Sequence, residues 1–170
     1  IEGERGTGKS LLAAVVHHAG QRGALLQLAN TVSADDPALR GAGRAGVVLC
    51  DEVATFSHEV QEELLRLLRS PARGRAPQLL ATTRHDLDAA VSAGWFLAEL
   101  RDRLHVVRLR LPPLREHPSA VVELFLSVLR ARCAPDEPPA VTPDALAALR
   151  SYEWPGNARE LEEAVRATRG

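Results

Sequence analysis

The chain has 170 residues, a net charge of −1 at pH 7 and two cysteines, Cys50 and Cys133. This length allows one domain, or a core with a small appended lobe, that needs neither disulfides nor metals. The balanced charge argues against a strongly basic nucleic-acid face, and the widely separated cysteines favour buried packing in a reducing compartment over a zinc site. Without a membrane-length apolar run or a signal peptide, the sequence predicts a cytoplasmic protein.

The chain starts at Ile1, two residues before a Gly-rich turn. Such a turn normally follows a buried strand. Only the last residue or two of that first strand would then be present, and we interpret the chain as a fragment of a longer protein. The truncated strand is expected to matter for stability. A helix is predicted directly after the turn, ending near Gly20 and Gly23.

Helix and strand signals alternate over the first two thirds of the chain. Short apolar runs predict buried parallel strands, and an alternating run predicts a further strand. These strands are 24–29, 46–51, 77–83 and 105–111. The Gly, Asp and Pro content of the segment between the first two predicts a loop. Ser57 is a suitable N-cap for a helix that follows it, and another helix starts at about Asp86.

A Pro-Pro pair at 112–113 marks a boundary, beyond which only helices are predicted. Thr142 and Pro143 form an N-cap followed by proline at the first helical position. Asn157 and Glu160 resemble a capping box. The sequence therefore predicts a parallel α/β core over 1–111 and a small helical lobe over 112–170.

The segment GERGTGKS, residues 3–10, fits the pattern G-x-x-x-x-G-K-[ST] at every fixed position. Glycines let successive backbone N–H groups point at phosphate oxygens. Of the 21 basic residues only Lys9 is a lysine, and a compact, mobile ammonium suits β- and γ-phosphates better than a planar guanidinium. Ser10 would bind Mg²⁺ through its hydroxyl. The motif predicts a site for ATP and Mg²⁺.

Two adjacent carboxylates, Asp51 and Glu52, follow the predicted strand 46–51. Ligands of open α/β sheets bind at the carboxyl ends of the strands. Asp51 would hold Mg²⁺ through water, and Glu52 would polarise the attacking water. A solvated strand end is the alternative, which the upstream phosphate-loop motif disfavours.

At this point the chain resembles the AAA+ ATPase domain of sigma-54-dependent transcriptional activators. GERGTGKS is similar to that family's GE-x-GTGKE, and DEV…QEELLRLLR to its DEI…QxxLLRxLQ. LLATTRHDLDAAVSAGWF is similar to AATNRDL…G-x-F. RLHVVRLRLPPLREH and YEWPGNARELEEAV resemble RLNVxxIxLPPLRER and YxWPGNVRELxNxV. These strings span nearly the whole chain in the family's order.

The resemblance implies a P-loop NTPase with a parallel-sheet core, a C-terminal helical lid and a site shared between neighbouring subunits of a homo-oligomer, as in a ring. By position, Arg159 matches the sensor arginine of the lid, and Arg103 one of two arginine fingers that act on the adjacent subunit's nucleotide. Glu52, Arg103 and Arg159 form the implied catalytic set, and Ser10 and Asp51 the metal set. The implied nucleotide-binding residues are Gly3, Glu4, Gly6, Thr7, Gly8, Lys9, Ser10, Leu11 and Asp51.

The chain departs from the family pattern in four places. One is Ser10, where the family has Glu after the P-loop lysine, and this change restores the general P-loop pattern. The long insertion that carries the family's GAFTGA loop is absent between 24–29 and 46–51, so the usual contact with sigma-54 is not expected. The sensor Asn aligns with Arg84, leaving Thr83 as its polar neighbour, and the first arginine finger aligns with Leu97. Binding groups are thus intact, whereas groups that couple the γ-phosphate to the subunit interface are partly lost.

Three functional hypotheses follow. The first is an ATP-binding module of a transcriptional regulator that hydrolyses ATP slowly. The second is a nucleotide-sensing or scaffolding domain without turnover, favoured by Leu97 and the absent loop but not by the Asp51–Glu52 pair. The third is a remodeller that contacts a partner other than sigma-54 through 31–46. No DNA contact is expected from this fragment, because no helix-turn-helix is found in it, and no membrane contact is expected either.

Overall fold

The computed structural model describes residues 1–20, 23–69, 77–132 and 140–167. The chain divides into two compact units. One contains Ile1–Glu2 and Lys9–Arg110, and the other contains Gly3–Gly8 and Leu111–Gly170. Among the described residues, no helix is long and apolar enough to cross a bilayer. Cys133, predicted to be buried, lies outside these residues.

In the described residues of the first unit, helices alternate with three strands. Its helices are α1 (Lys9–Gly20), α2 (Pro37–Gly41), α3 (His58–Arg69), α4 (Leu87–Ser92) and α5 (Ala98–Leu104). Its strands are β1 (Leu25–Leu28), β2 (Val47–Cys50) and β3 (Gln78–Ala81). The strands form a parallel sheet in the order β1-β2-β3. The predicted strands 24–29, 46–51 and 77–83 are confirmed, as is the α/β class.

The middle strand β2 is buried along its whole length, as expected for a strand whose two faces are both covered by helices. Its last residue, Cys50, is level with Leu28 of β1 and Ala81 of β3. The apolar face of α3 packs into the same core through Val60 and Leu64. The core therefore fixes the carboxyl end of β2, from which the two predicted site carboxylates extend.

The connection from β1 to β2 was predicted as a loop, but it contains α2 and a short 3₁₀ turn over Ala42–Arg44. Asp36 caps α2 by accepting a hydrogen bond from the Ala38 N–H, and Pro37 occupies its first turn. Proline tolerates that position because the first N–H groups of a helix have no partner within the helix. One helical turn thus forms in a segment whose composition suggested only a loop.

The predicted strand 105–111 is not a strand. Residues 105–110 form a single parallel bridge, between Arg110 and Glu2, and Glu2 also bridges Thr83 beyond β3. Val106 is 81% exposed, and a cavity of about 510 Å³ lies between this segment and β3. An extended segment becomes a strand only when a neighbour bonds to its backbone, and here Glu2 supplies that pairing at one position.

The second unit has α6 (Pro118–Arg130), α7 (Pro143–Ser151) and α8 (Asn157–Ala167), with a 3₁₀ turn over Leu114–Glu116. Its core contains Val121, Trp154, Leu161 and Val165. The Thr142 cap of α7 is confirmed, since its hydroxyl accepts from the Ala145 N–H at 3.3 Å.

The predicted capping box at the start of α8 is half present. Glu160 reaches back to accept a hydrogen bond from the Gly156 N–H at 2.6 Å. Asn157, however, does not cap the helix with its side chain. Its amide contacts Leu114, Glu4 and Arg5 instead. Asn157 also adopts a left-handed backbone conformation (φ 53°), which asparagine tolerates better than most residues.

Candidate nucleotide-binding site

The predicted carboxylates lie at the carboxyl end of β2. Asp51 and Glu52 follow Cys50 directly, and the Asp51 N–H donates to the carbonyl oxygen of Leu28 at the end of β1. Because the three strands are parallel, their carboxyl ends share one edge of the sheet, where α/β folds bind ligands. The buried strand therefore holds the backbone of this acidic pair in place.

One carboxylate oxygen of Asp51 accepts hydrogen bonds from two hydroxyl groups. Ser10 Oγ donates to Asp51 Oδ1 over 3.4 Å, and Thr82 Oγ1 donates to the same oxygen over 2.5 Å. Mg²⁺ takes octahedral oxygen ligands at about 2.0–2.1 Å, which places neighbouring ligand atoms roughly 3 Å apart. The hydroxyl of Ser10 and the carboxylate of Asp51 therefore suit two positions of one magnesium site, either directly or through a water.

Lys9 and Glu52 form a salt bridge beside this pair. Lys9 Nζ lies 3.1 Å from Glu52 Oε1, and the Lys9 side chain is only 7% exposed. Removing an ammonium from water is costly unless a partner charge compensates it. In this structure the carboxylate provides that compensation, and a phosphate at the same place would supply it through its own oxygens.

The conformation of Glu52 is held from three sides. Its backbone lies in the left-handed region (φ 52°), which is uncommon for a residue other than glycine. Its N–H donates to Thr82 Oγ1 over 3.0 Å, and its Oε2 accepts from the backbone N–H of Arg84 over 3.1 Å. Together with the Lys9 contact, these bonds aim the carboxylate in one direction.

The loop Gly3–Gly8 precedes Lys9 and lies in the second compact unit. Thr7 closes a turn within it, because its hydroxyl donates to the carbonyl oxygen of Glu4 over 2.9 Å. Gly6 and Gly8 have φ values of 80° and 92°, a region that favours glycine. The motif thus adopts the curled backbone that its glycines predict.

Several predicted site residues make other contacts. Arg103 lies on α5 and pairs with Glu99, 3.8 Å away, while Arg159 lies on α8 and pairs with Glu163, 3.3 Å away. Both arginine side chains are about half exposed or more, at 48% and 67%. The Leu11 side chain, on α1, is 71% exposed. None of these contacts includes the carboxylates at the end of β2.

The positions that depart from the family pattern also have local roles. The Arg84 side chain donates from Nε to His85 Nε2 over 3.3 Å. Leu97 precedes α5, and its N–H donates to the buried Gln61 side chain over 2.8 Å. Thr83, predicted as the surviving polar neighbour, bonds through its hydroxyl to the backbone of His85.

Sequence reasoning missed Thr82. This threonine is fully buried, and its hydroxyl accepts from the Glu52 N–H while it donates to Asp51. The signal was available in the register of the sheet. Since Cys50 is level with Ala81, the residues that follow them, Asp51 and Thr82, had to be neighbours as well.

A glycine-rich loop that leads into α1, with an acidic pair at the end of the middle strand of a parallel sheet, defines a P-loop ATPase fold of the AAA+ class. The chain belongs to the sigma-54 interaction domain family, whose profile matches residues 1–114. The profile of the AAA+ ATPase lid domain matches residues 115–168.

Curated relatives are transcriptional regulators. The chain is 32% identical over 200 residues to the transcriptional regulatory protein FlbD of Caulobacter vibrioides, with 97% of this chain and 44% of the relative covered. It is 33% identical over 201 residues to the DNA-binding transcriptional regulator NtrC of Azospirillum brasilense, with 98% and 41% covered. The chain thus spans less than half of either relative. The alignments have 200 and 201 positions but include only 97% and 98% of the 170 residues of this chain, so about 35 of their positions have no counterpart here.

Among solved structures, NtrX from Brucella abortus in complex with ATP is similar to this chain. The TM-score is 0.82 at 26% sequence identity, and the match covers 99% of this chain and 45% of NtrX. This likeness extends over both compact units.

Proposed function

We propose that this chain is the ATP-binding AAA+ module of a sigma-54-activator-type transcriptional regulator and that it hydrolyses ATP slowly. The observation that carries the proposal is the convergence of Lys9, Ser10, Asp51 and Glu52 at the end of β2. An ammonium, a hydroxyl and two carboxylates are the groups that phosphoryl transfer to water requires.

Each group has a distinct role in this proposal. Lys9 exchanges its bond with Glu52 for oxygens of the β- and γ-phosphates. Ser10 and Asp51 hold Mg²⁺, which would neutralise charge on the phosphates when bound. Glu52, released from Lys9, accepts a hydrogen bond from the attacking water and orients it.

The proposal places Arg103 and Arg159 in the coupling of subunits. Arg103 reaches the nucleotide of an adjacent copy of the chain, and Arg159 responds to the γ-phosphate from a lid formed by residues 112–170. The exposure of both side chains supports this, since each is free to change partners. A homo-oligomer, such as a ring, is thus the working form, with residues 1–111 forming the nucleotide-binding core.

The partner is proposed to differ from that of the relatives. The connection from β1 to β2 holds only one helical turn and a 3₁₀ turn, and about 35 aligned positions of the relatives have no counterpart in this chain. This supports the absence of the loop that the family uses against sigma-54. A short connection over 31–46 remains as the surface for another partner.

The experiment is steady-state ATP hydrolysis with Mg²⁺ over a range of protein concentrations, with Glu52→Gln as the control. We expect turnover per subunit to rise with concentration and to vanish in Glu52→Gln, because the site is shared between subunits. Absence of ATP binding in the wild-type chain would contradict the proposal as a whole.

A second candidate is a nucleotide-sensing domain without turnover. The observation that favours it is the engagement of both Glu52 carboxylate oxygens, by Lys9 and by the Arg84 N–H. A carboxylate held in this way has less freedom to turn toward a water than one without these two contacts. Tight ATP binding with turnover no faster than that of Glu52→Gln would establish this candidate in place of the first.

A further inference from the structure

Three residues that the nucleotide chemistry does not use lie together in the second unit. They come from three strings that marked the family resemblance: Glu4 from GERGTGKS, Arg115 from LPPLREH and Asn157 from WPGNARE. Glu4 was predicted to bind nucleotide. In this structure its carboxylate accepts two hydrogen bonds from the Arg115 guanidinium, at 2.8 and 2.5 Å.

This ion pair has the forked geometry in which arginine binds a carboxylate most strongly. The hydrogen bonds from Arg115 hold the pKa of Glu4 at about 2, against an ordinary value of 4.5. The carboxylate is therefore charged at every physiological pH. The two residues are 111 positions apart, so the pair ties the loop to a remote part of the chain.

Asn157 also connects the loop to the rest of the second unit, through hydrogen bonds of both polar atoms of its side chain. Its Oδ1 accepts from the Leu114 N–H over 2.8 Å, and its Nδ2 donates to the Arg5 carbonyl oxygen over 2.9 Å and to Glu4 Oε2 over 3.4 Å. The residue is fully buried. A buried amide that uses both its acceptor and its donor is specific, because aspartate lacks the donor and leucine lacks both functions.

The loop also lies directly against the turn before α8. A Cβ atom added at Gly6 would stand 2.0 Å from the carbonyl oxygen of Gly156. No side chain fits in that space, so the backbones of the loop and the turn are in contact. Gly156 is adjacent to Asn157, and Arg159 follows two residues later on α8.

We propose that Glu4, Arg115 and Asn157 form a clamp that holds the Gly3–Gly8 loop in its curled form and links that form to the position of α8. The three are positioning residues, which act through the loop backbone and not on the nucleotide. A loop with three glycines loses much conformational entropy on ordering. By ordering it beforehand, the clamp lowers the cost of binding phosphate.

This inference rests on the proposed function and describes how binding of nucleotide would be coupled to the position of α8. Because Asn157 and Arg159 lie on the same helical turn, a movement of α8 toward a nucleotide pulls on the loop through Asn157. Conversely, a loop that has closed on phosphate holds α8 in one position. Loop and lid thus respond to nucleotide as one element.

The test combines hydrogen exchange with ATP affinity. Arg115→Lys keeps the charge and removes the fork, and Arg66→Lys is the matched control, since Arg66 makes the same forked pair with Glu63 on α3. Without nucleotide, we expect faster amide exchange over residues 3–8 in Arg115→Lys and unchanged exchange in Arg66→Lys. Equal exchange over residues 3–8 in both variants would overturn the clamp.

ATP affinity supplies the second readout, in a double-mutant cycle. We expect Glu4→Gln and Arg115→Lys each to raise Kd and KM about two- to fivefold with kcat little changed, and the double variant to be no worse than either. Additive losses, or a loss confined to kcat, would contradict the proposal. If the wild-type chain binds no ATP, the proposed function fails, and the exchange data alone decide whether the clamp exists.

Discussion

Two sets of charged side chains in this molecule are held in opposite ways. In the first set, Lys9 pairs with Glu52, and Asp51 accepts a hydrogen bond from Ser10, so each contact joins segments far apart in sequence. The Lys9 side chain is only 7% exposed. Arg103 and Arg159 instead pair with a glutamate four residues away on their own helix, at 48% and 67% exposure. An exposed pair of this kind contributes about 0.3–0.5 kcal/mol.

The first set is held in place by the fold of a single chain, whereas the two arginines are held only weakly. The sheet fixes the first set, since it places the ends of β2 and β3 side by side. Nothing in the described residues fixes the two arginines beyond a weak helical pair. Under the proposed function, each arginine exchanges this pair for a phosphate of the nucleotide.

The largest effect is expected for Arg103→Ala. Removing an arginine finger lowers turnover by about 10³-fold or more, while ATP affinity stays within a few-fold of wild type. Arg69→Ala is the matched control, because Arg69 pairs with the same Glu99. Steady-state turnover of both variants is the measurement, and an equal loss in the two would show that only the Glu99 pair matters.

Mixing experiments sharpen this prediction. Arg103→Ala subunits keep an intact site, and Lys9→Ala subunits keep an intact Arg103. A mixture of the two should recover turnover that neither variant has alone. A mixture with no recovery would indicate that Arg103 does not act on a neighbour's site.

The second effect is on binding. Lys9→Ala removes the ammonium that is proposed to bind the β- and γ-phosphates and leaves the Glu52 carboxylate beside them without a compensating charge. Truncation of one member of a hydrogen-bonded charge pair costs about 2–5 kcal/mol at a binding site. We expect ATP affinity to fall about 100-fold, measured by calorimetry. Lys9→Arg, which keeps the charge, should lie between Lys9→Ala and wild type. Unchanged affinity in Lys9→Ala would place the nucleotide elsewhere.

A smaller effect is expected for Thr82→Val. The substitution removes the hydroxyl that donates to Asp51 and accepts from the Glu52 N–H. Residues that orient metal ligands change metal affinity by about 10–100-fold, so we expect turnover to need about tenfold more Mg²⁺. Thr83→Val, one residue along the chain, is the control and should titrate as wild type. Identical Mg²⁺ curves for all three proteins would contradict the role given to Thr82.

Much of this fold could be predicted because its signals are local. Apolar runs gave three strands, and Ser57 and Thr142 marked helix starts that the structure confirms. The segment 105–111 had an equally good alternating pattern, but the strand prediction was wrong. A strand needs a neighbour along its length, and among the described residues only Glu2 bridges to this segment, at Arg110. The residue pattern of one segment does not show whether another segment lies beside it to pair with its backbone.

The site shows the same limit. The residues of the phosphate loop and the acidic pair follow from motif and spacing. Thr82 required the register between β2 and β3. The partners of Glu4 and Asn157 required the packing of segments that lie 43 to 153 positions apart. A capping box was a reasonable prediction for Asn157, but a long-range network uses its amide instead.

The smallest effect is expected on the free energy of unfolding, when the long-range pair of Glu4 with Arg115 is compared with the local pair of Glu163 with Arg159. Glu4 is 43% exposed, so the net value of its pair with Arg115 is expected to be that of a surface pair, about 0.5–1 kcal/mol. Glu163→Gln, which breaks the local pair with Arg159, should change the free energy of unfolding by less. Urea unfolding of both variants against wild type at pH 7 measures the difference.

The stability difference between wild type and Glu4→Gln is expected to depend on pH in a definite direction. The pKa of Glu4 in the folded chain is lowered to about 2 from 4.5, so its stabilisation is fully present above about pH 4.5 and declines as the pH falls toward 2. The gap between wild type and Glu4→Gln should therefore be constant from pH 8 to 5 and shrink between pH 4 and 2. A gap that already closes near pH 6 would mean that Arg115 does not hold the carboxylate, and that the loop depends on Asn157 alone.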